Sequence, residues 1–301
     1  MIRLSVLDQS PIRKGGTAGQ AVAETLELAV LCDRLGYHRY WLAEHHNTPS
    51  LAGSSPEILV ARIAGLTNRL RVGSGGIMLT HYSPLKVAES FRMLEALYPG
   101  RIDLGIGRAP GADRRTAEAL SAGPGALGIE HYPYQLGNLL KYIANADDAQ
   151  TNGVQAQPVG SATPQLWMLG SSDASAAFAA HFGLPFSYAH FINADGGERV
   201  MSAYRTSFNP SPHAAVPSGS VGVFAICADT DEEARFEAAS RDLYSLKQRT
   251  GEPIAIPAPS PLSPHEMPPP KCAYACLTLY AGPSSLNGSE ALPMMTAMMS
   301  P

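Results

Sequence analysis

Hydrophobic positions over residues 1–250 alternate between two periods. Short β-branched or apolar stretches at residues 2–8, 37–44, 70–79, 101–108, 165–170, 185–192 and 220–228 read as strands. Helical patterns lie between them. Across Ala18–Leu35, the residues Val22, Leu26, Ala29, Val30, Cys32 and Leu35 make one apolar stripe at three-to-four spacing. Gly36 comes next, where a left-handed cap residue ends a helix. Ser55-Pro56-Glu57, Ser83-Pro84 and Thr230-Asp231-Glu232-Glu233 are helix starts, with a hydroxyl cap followed by proline or acid in the first turn. Strands that alternate with helices pair in parallel through right-handed crossovers. Seven such units can be drawn, and a TIM (β/α)8 barrel requires one more.

Residues 251–301 break this pattern. They hold 11 of the 25 prolines but only four charged residues (Glu252, Glu266, Lys271, Glu290), so no amphipathic helix can be drawn through them. Pro268-Pro269-Pro270 excludes a helix or a central strand at that point. The chain thus divides into a barrel domain at 1–250 and an irregular Pro/Met-rich tail at 251–301. Only residues 273–280 could imitate a strand, and docking on the open edge as a substitute is the alternative for them. The expectation is an α/β barrel without a normal eighth βα unit, its first and seventh strands left as open edges.

Composition narrows the partners. Lys plus Arg is 22 and Asp plus Glu is 26, a net charge of −4, so no basic excess is available for nucleic acid or an anionic membrane. No apolar run approaches the roughly 20 residues of a membrane span. The four cysteines, Cys32, Cys227, Cys272 and Cys276, are scattered as in a reducing compartment. A cytoplasmic globular protein is the expectation.

In a parallel barrel the chemistry lies beyond the C-terminal ends of the strands. The residues there are Asp8-Gln9-Ser10, Glu44-His45-His46-Asn47, Gly73-Ser74-Gly75-Gly76 with Thr80-His81, Gly105-Ile106-Gly107-Arg108-Ala109-Pro110-Gly111, Gly170-Ser171-Ser172-Asp173 and His190-Phe191-Ile192-Asn193. Glu44-His45-His46 offers an acid and two imidazoles. Adjacent residues of an extended chain point in opposite directions, which disfavours one shared metal ion. His45 is a candidate proton carrier. Gly105-x-Gly107-Arg108 lacks the third glycine of a dinucleotide fingerprint and reads as close backbone approach, with Arg108 as an anion holder or a surface ion pair. Ser171 and Ser172 suit a helix cap, or a phosphate at a helix N-terminus.

Tyr40-Trp41-Leu42-Ala43-Glu44-His45-His46, Arg71-Val72-Gly73-Ser74-Gly75-Gly76-Ile77-Met78-Leu79 and Gly105-Ile106-Gly107-Arg108 resemble the bacterial luciferase-like flavin-dependent monooxygenases. Leu7-Asp8-Gln9-Ser10-Pro11 and the run from His81 to Glu89 are similar to the one-subunit branch of that family. The resemblance covers about residues 1–250 and implies a (β/α)8 barrel that takes reduced FMN from a separate flavin reductase and reacts it with O2 on a small organic substrate. It implies catalytic roles for His45 and Glu44, with His45 managing protons. Gly75 and Gly76 are implied to lie under the flavin ring, joined by a peptide that can be cis. Arg108, Ser171 and Ser172 are implied to hold the flavin phosphate. A homodimer is one assembly open to such a chain. The tail departs from the family pattern, which continues with a polar helix, an eighth strand and a closing helix.

Three other readings stay open at this point. One is a deazaflavin-dependent hydride-transfer enzyme on the same barrel. Another is a non-catalytic flavin binder, motivated by the missing eighth unit. The third is a metal hydrolase built on His45 and His46.

Overall fold

The structure is a computed structural model that describes residues 3–108, 113–120, 129–144, 151–160, 162–249 and 277–281. The first half runs β1 (Arg3–Asp8), α1 (Ala18–Leu35), β2 (Arg39–Leu42), α2 (Pro56–Leu66), β3 (Arg71–Met78), α3 (Pro84–Leu97), β4 (Ile102–Gly107), α4 (Arg114–Leu120) and α5 (Tyr132–Ala144). The second half runs β5 (Gln165–Gly170), α6 (Asp173–His181), β6 (Phe186–Ala189), α7 (Gly197–Thr206), β7 (Gly219–Val223), α8 (Asp231–Arg249) and β8 (Leu277–Ala281). All seven strands expected from the sequence are present, and β1 to β7 pair in parallel in chain order.

Helix boundaries follow the cap chemistry. Thr17 accepts from the Gln20 N–H while the Gln20 side chain accepts from the Thr17 N–H, a reciprocal capping box that starts α1. Gly36 ends it at φ 80°, the left-handed conformation that costs glycine least. Thr230 caps α8 through the Glu233 N–H. Ser55 and Ser83 precede Pro56 and Pro84 as expected, but neither side chain makes a cap hydrogen bond. Proline at the first helical position, where no N–H is needed, supplies those starts instead.

The tail requires a correction. Sequence pattern predicts open edges at β1 and β7, whereas β8 lies between them, antiparallel to both, and closes the barrel. Val6 and Val223 both pair with Leu277. Two facing edges of unpaired N–H and C=O groups are satisfied by one short strand of either direction. The eighth position is still not a βα unit, because its strand runs opposite to the other seven. The rest of the tail, with Pro268-Pro269-Pro270, Cys272 and Cys276, lies outside the described residues.

Parallel strands covered by helices are buried on both faces. Outward residues such as Tyr40, Val72, Ile102, Leu104 and Met168 join Val60, Ile63, Phe91 and Leu139 of the helices in one core. Inward residues follow the register, which pairs Trp41 with Gly73, Gly73 with Asp103, and Gly105 with Trp167. The two tryptophans meet edge-on at 5.3 Å in the room that the glycines leave. Beneath them, toward the N-terminal end, the buried Asp103 accepts from Arg39, from Trp41 Nε1 at 2.9 Å and from Arg71 Nε at 2.8 Å. Among the described residues, no helix is long and apolar enough to cross a membrane.

Candidate active site

Tryptophans fill the middle of the barrel with a charged cluster below them, and on the other side lie the C-terminal ends of the strands. The residues singled out by sequence sit there on four consecutive strands. Glu44 and His45 follow β2, Gly75 and Gly76 lie in the second half of β3, Arg108 follows β4, and Ser171 and Ser172 follow β5. They form one continuous arc of the rim.

The loop after β2 is held on both sides. His45 N–H donates to the Gly53 carbonyl at 2.9 Å, and Ile12 and Ala52 tie the loop to the segment after β1 through Ser50 and Ser10. Ser50 Oγ shares a 2.6 Å hydrogen bond with Tyr244 of α8, linking the β2 side of the rim to the helix after β7. His45 is therefore carried by a braced segment. Its Nδ1 is buried and has no hydrogen-bond partner among the described residues. Burial first, and then the neighbouring His46, pushes this imidazole below the ordinary histidine value. A neutral ring with an uncommitted nitrogen can take up a proton there.

Glu44 is arranged differently. Its buried carboxylate accepts from His46 Nε2 at 2.7 Å and Tyr82 OH at 2.6 Å on one oxygen, and from the Met78 N–H at 3.0 Å on the other. Burial and then Glu44 push the Tyr82 phenol up, so it stays a donor. His45 and His46 thus part company, one open and one locked onto Glu44.

The β3 end is shaped by missing side chains. Gly75 and Gly76 are joined by a cis peptide, and the β3–β4 register shifts between Ser74 and Ile77. A Cβ on Gly76 would lie 2.8 Å from the Gly105 backbone, so no larger residue fits between these strands. Both glycines are only half-buried, so backbone without side chains is partly exposed at this strand end.

Arg108 is half-buried at the end of β4, near enough to Tyr132 to oppose the upward push that burial gives that phenol. At the end of β5, Gly170 lets α6 pack so tightly that a Cβ would sit 2.3 Å from Ser175 Cβ. Ser172 caps α6 by accepting from the Ser175 N–H at 3.4 Å, and the Ser171 carbonyl accepts from Asn193 at 3.4 Å. A guanidinium and a helix N-terminus on neighbouring strands suit a dianionic phosphate.

Two features were not legible from motifs. Tyr82, in sequence one residue of the run from His81 to Glu89, is a direct partner of Glu44 and His46. After β6 and β7, Phe191 and Phe224 meet with ring centroids 5.1 Å apart and planes tilted by 55°, with Arg241 of α8 over Phe224 at 4.3 Å. The available signal was position alone: an aromatic residue just beyond a barrel strand.

Comparison with known proteins agrees with this architecture. The family model described as luciferase-like monooxygenase matches residues 2–263. An uncharacterised Bacillus subtilis protein, YceB, is 45% identical over 260 residues, covering 86% of this chain and 78% of its own. The N-acetyl-S-alkylcysteine monooxygenase of the same organism is 38% identical over 263 residues, covering 85% and 77%. Among solved structures, apo-MsnO8 superposes with a TM-score of 0.78 at 42% identity, covering 85% of this chain and 75% of that one. The oxygenating constituent of 3,6-diketocamphane monooxygenase from Pseudomonas putida, in complex with FMN, shares the fold with a TM-score of 0.65 at 20% identity, covering 83% and 76%. The chain belongs to the luciferase-like monooxygenase family.

Proposed function

We propose that this protein is an FMN-dependent monooxygenase that uses O2 to oxygenate a small organic substrate, with reduced FMN supplied by a separate reductase. The observation that carries this reading is the buried, unpartnered Nδ1 of His45 on a braced loop, one strand away from the bare glycine strip of β3. The fit of a flavin rests on that strip, with Arg108 and the start of α6 further along the same arc. Bound reduced flavin supplies two electrons, so that one oxygen atom enters the substrate and the other leaves as water. The protein's own residues do the rest. Gly75 and Gly76 admit the ring face. Arg108, Ser171 and Ser172 hold the phosphate. His45 takes and returns a proton at Nδ1, and the Phe191–Phe224 wall keeps water from the mouth. A 38% identical relative named as a monooxygenase supports oxygen chemistry over deazaflavin hydride transfer for this site.

The test is anaerobic titration with reduced FMN followed by a pulse of O2. The expected result is a transient absorbance, blue-shifted from oxidised FMN, whose lifetime changes in His45→Ala while reduced-FMN affinity is retained. Oxidation at the rate of free FMN, with no transient, would rule the reading out. Turnover of a deazaflavin without O2 uptake would replace it with hydride transfer.

A further inference from the structure

The group formed by Glu44, His46 and Tyr82 joins two strand ends, and its distances are selective. Glu44 Oε1 lies 2.7 Å from His46 Nε2 and 2.6 Å from Tyr82 OH, whereas Tyr82 OH and His46 Nε2 are 3.2 Å apart. A carboxylate is an acceptor only, so both short contacts need a donor on the other side. Tyr82 supplies O–H and His46 supplies Nε2–H, with the phenol oxygen near enough to take a weaker share of the same ring proton. The opposite arrangement, Tyr82 donating to a bare Nε2, would set a nitrogen lone pair against the carboxylate at 2.7 Å. The second carboxylate oxygen accepts the Met78 N–H just beyond Gly75-Gly76, so the same side chain also sets the end of β3 against the end of β2.

We propose that Glu44 and Tyr82 are positioning residues that hold His46 as an Nε2–H donor and leave His45 as the ring at the rim able to accept a proton. Both oxygens of the buried Glu44 carboxylate are engaged within the fold, and His46 has no bare Nε2. Tyr82 fixes the carboxylate rotamer by anchoring the oxygen that His46 uses. The assignment of proton transfer to His45 rests on the function proposed above; the state of His46 does not.

The experiment reads that state directly, by ring 15N spectra of histidine-labelled full-length protein in alkaline buffer, with His46→Gln used to assign the signals. Wild type should show His46 as a single species protonated at Nε2 and His45 exchanging between its two neutral forms. Glu44→Gln cannot offer acceptors to both His46 and the Met78 N–H, so the fixed Nε2–H signature should be lost. Tyr82→Phe keeps the carboxylate and should keep the signature. A wild-type His46 protonated at Nδ1, or averaged like His45, overturns the proposal. Loss of the signature in Tyr82→Phe together with its retention in Glu44→Gln would overturn the division of roles. An inactive His45 with a locked His46 would sink the proposed reaction and leave the positioning role standing.

Discussion

Arg39 and Asp103 form an ion pair inside the barrel, with Asp103 fully buried and Arg39 only 4% exposed. Trp41 Nε1 and Arg71 donate to the same carboxylate, Arg39 also reaches Gln165 Oε1 at 2.9 Å, and its guanidinium stacks over Trp167 at 4.9 Å. Desolvation makes such a pair a modest source of stability in itself, but removing one member strands the other charges in a dry site. Asp103→Ala should cost about 3–5 kcal/mol, and Asp103→Asn less because an acceptor survives. Denaturant unfolding checks this; a loss below about 1 kcal/mol would mean that water reaches the barrel floor.

Gly75 and Gly76 should not be equivalent. The nearest atom to a Cβ on Gly75 is Leu7 Cδ1 at 2.4 Å, the far end of a side chain that can turn aside. For Gly76 the conflict includes the Gly105 backbone at 2.8 Å, which cannot. Gly76→Ala should cost roughly 1–3 kcal/mol and Gly75→Ala less, measured by urea unfolding. The reverse order would show that Leu7 is as immobile as the strand.

Arg108→Ala tests the phosphate assignment. Losing one charge-assisted contact weakens binding by about 1.5–3 kcal/mol, roughly tenfold to over a hundredfold. The loss should appear for FMN and be nearly absent for riboflavin, which has no phosphate. Equal losses for the two ligands would remove Arg108 from that role.

Acid should destabilise the fold through its histidines. Burial is the largest cause holding His38, His45, His190 and His213 below the ordinary value, His38 at about 4. An unfolded imidazole takes its proton near 6.5, so below about that pH the unfolded state binds more protons than the folded one. Stability is thus complete above about pH 6.5 and falls as the pH drops through 6 toward the folded values. His38→Gln, which keeps an acceptor for Arg3, should flatten the fall in Tm between about pH 6.5 and 4.5. An unchanged slope would assign the acid sensitivity elsewhere.

The parts of the molecule legible in sequence are those set by near neighbours along the chain. α1 is bounded at Ala18 and Leu35 because an apolar stripe, a capping threonine and a cap glycine are local facts. The rim is legible for a related reason. In a parallel barrel every strand delivers its next residues to the same end. The C-terminal ends of the strands therefore yield His45, Gly75, Gly76, Arg108, Ser171 and Ser172 without knowledge of how the strands pair.

Tertiary structure alone decided the rest. Arg39, Arg71 and Asp103 look like ordinary strand charges until the register turns them inward onto each other. Glu44, His45 and His46 are three adjacent titratable groups in sequence; the fold sets His46 against Glu44, and Tyr82, delivered by the next strand, donates to the same carboxylate oxygen. The direction of β8 was equally out of reach, since a short apolar run in a proline-rich tail acquires its role from the two edges it finds. Sequence by itself determined that seven strands alternate with helices and which residues follow them toward one rim; the charges that meet inside the barrel and the edges that β8 joins were determined by strand pairing, because those contacts join residues tens to hundreds of positions apart.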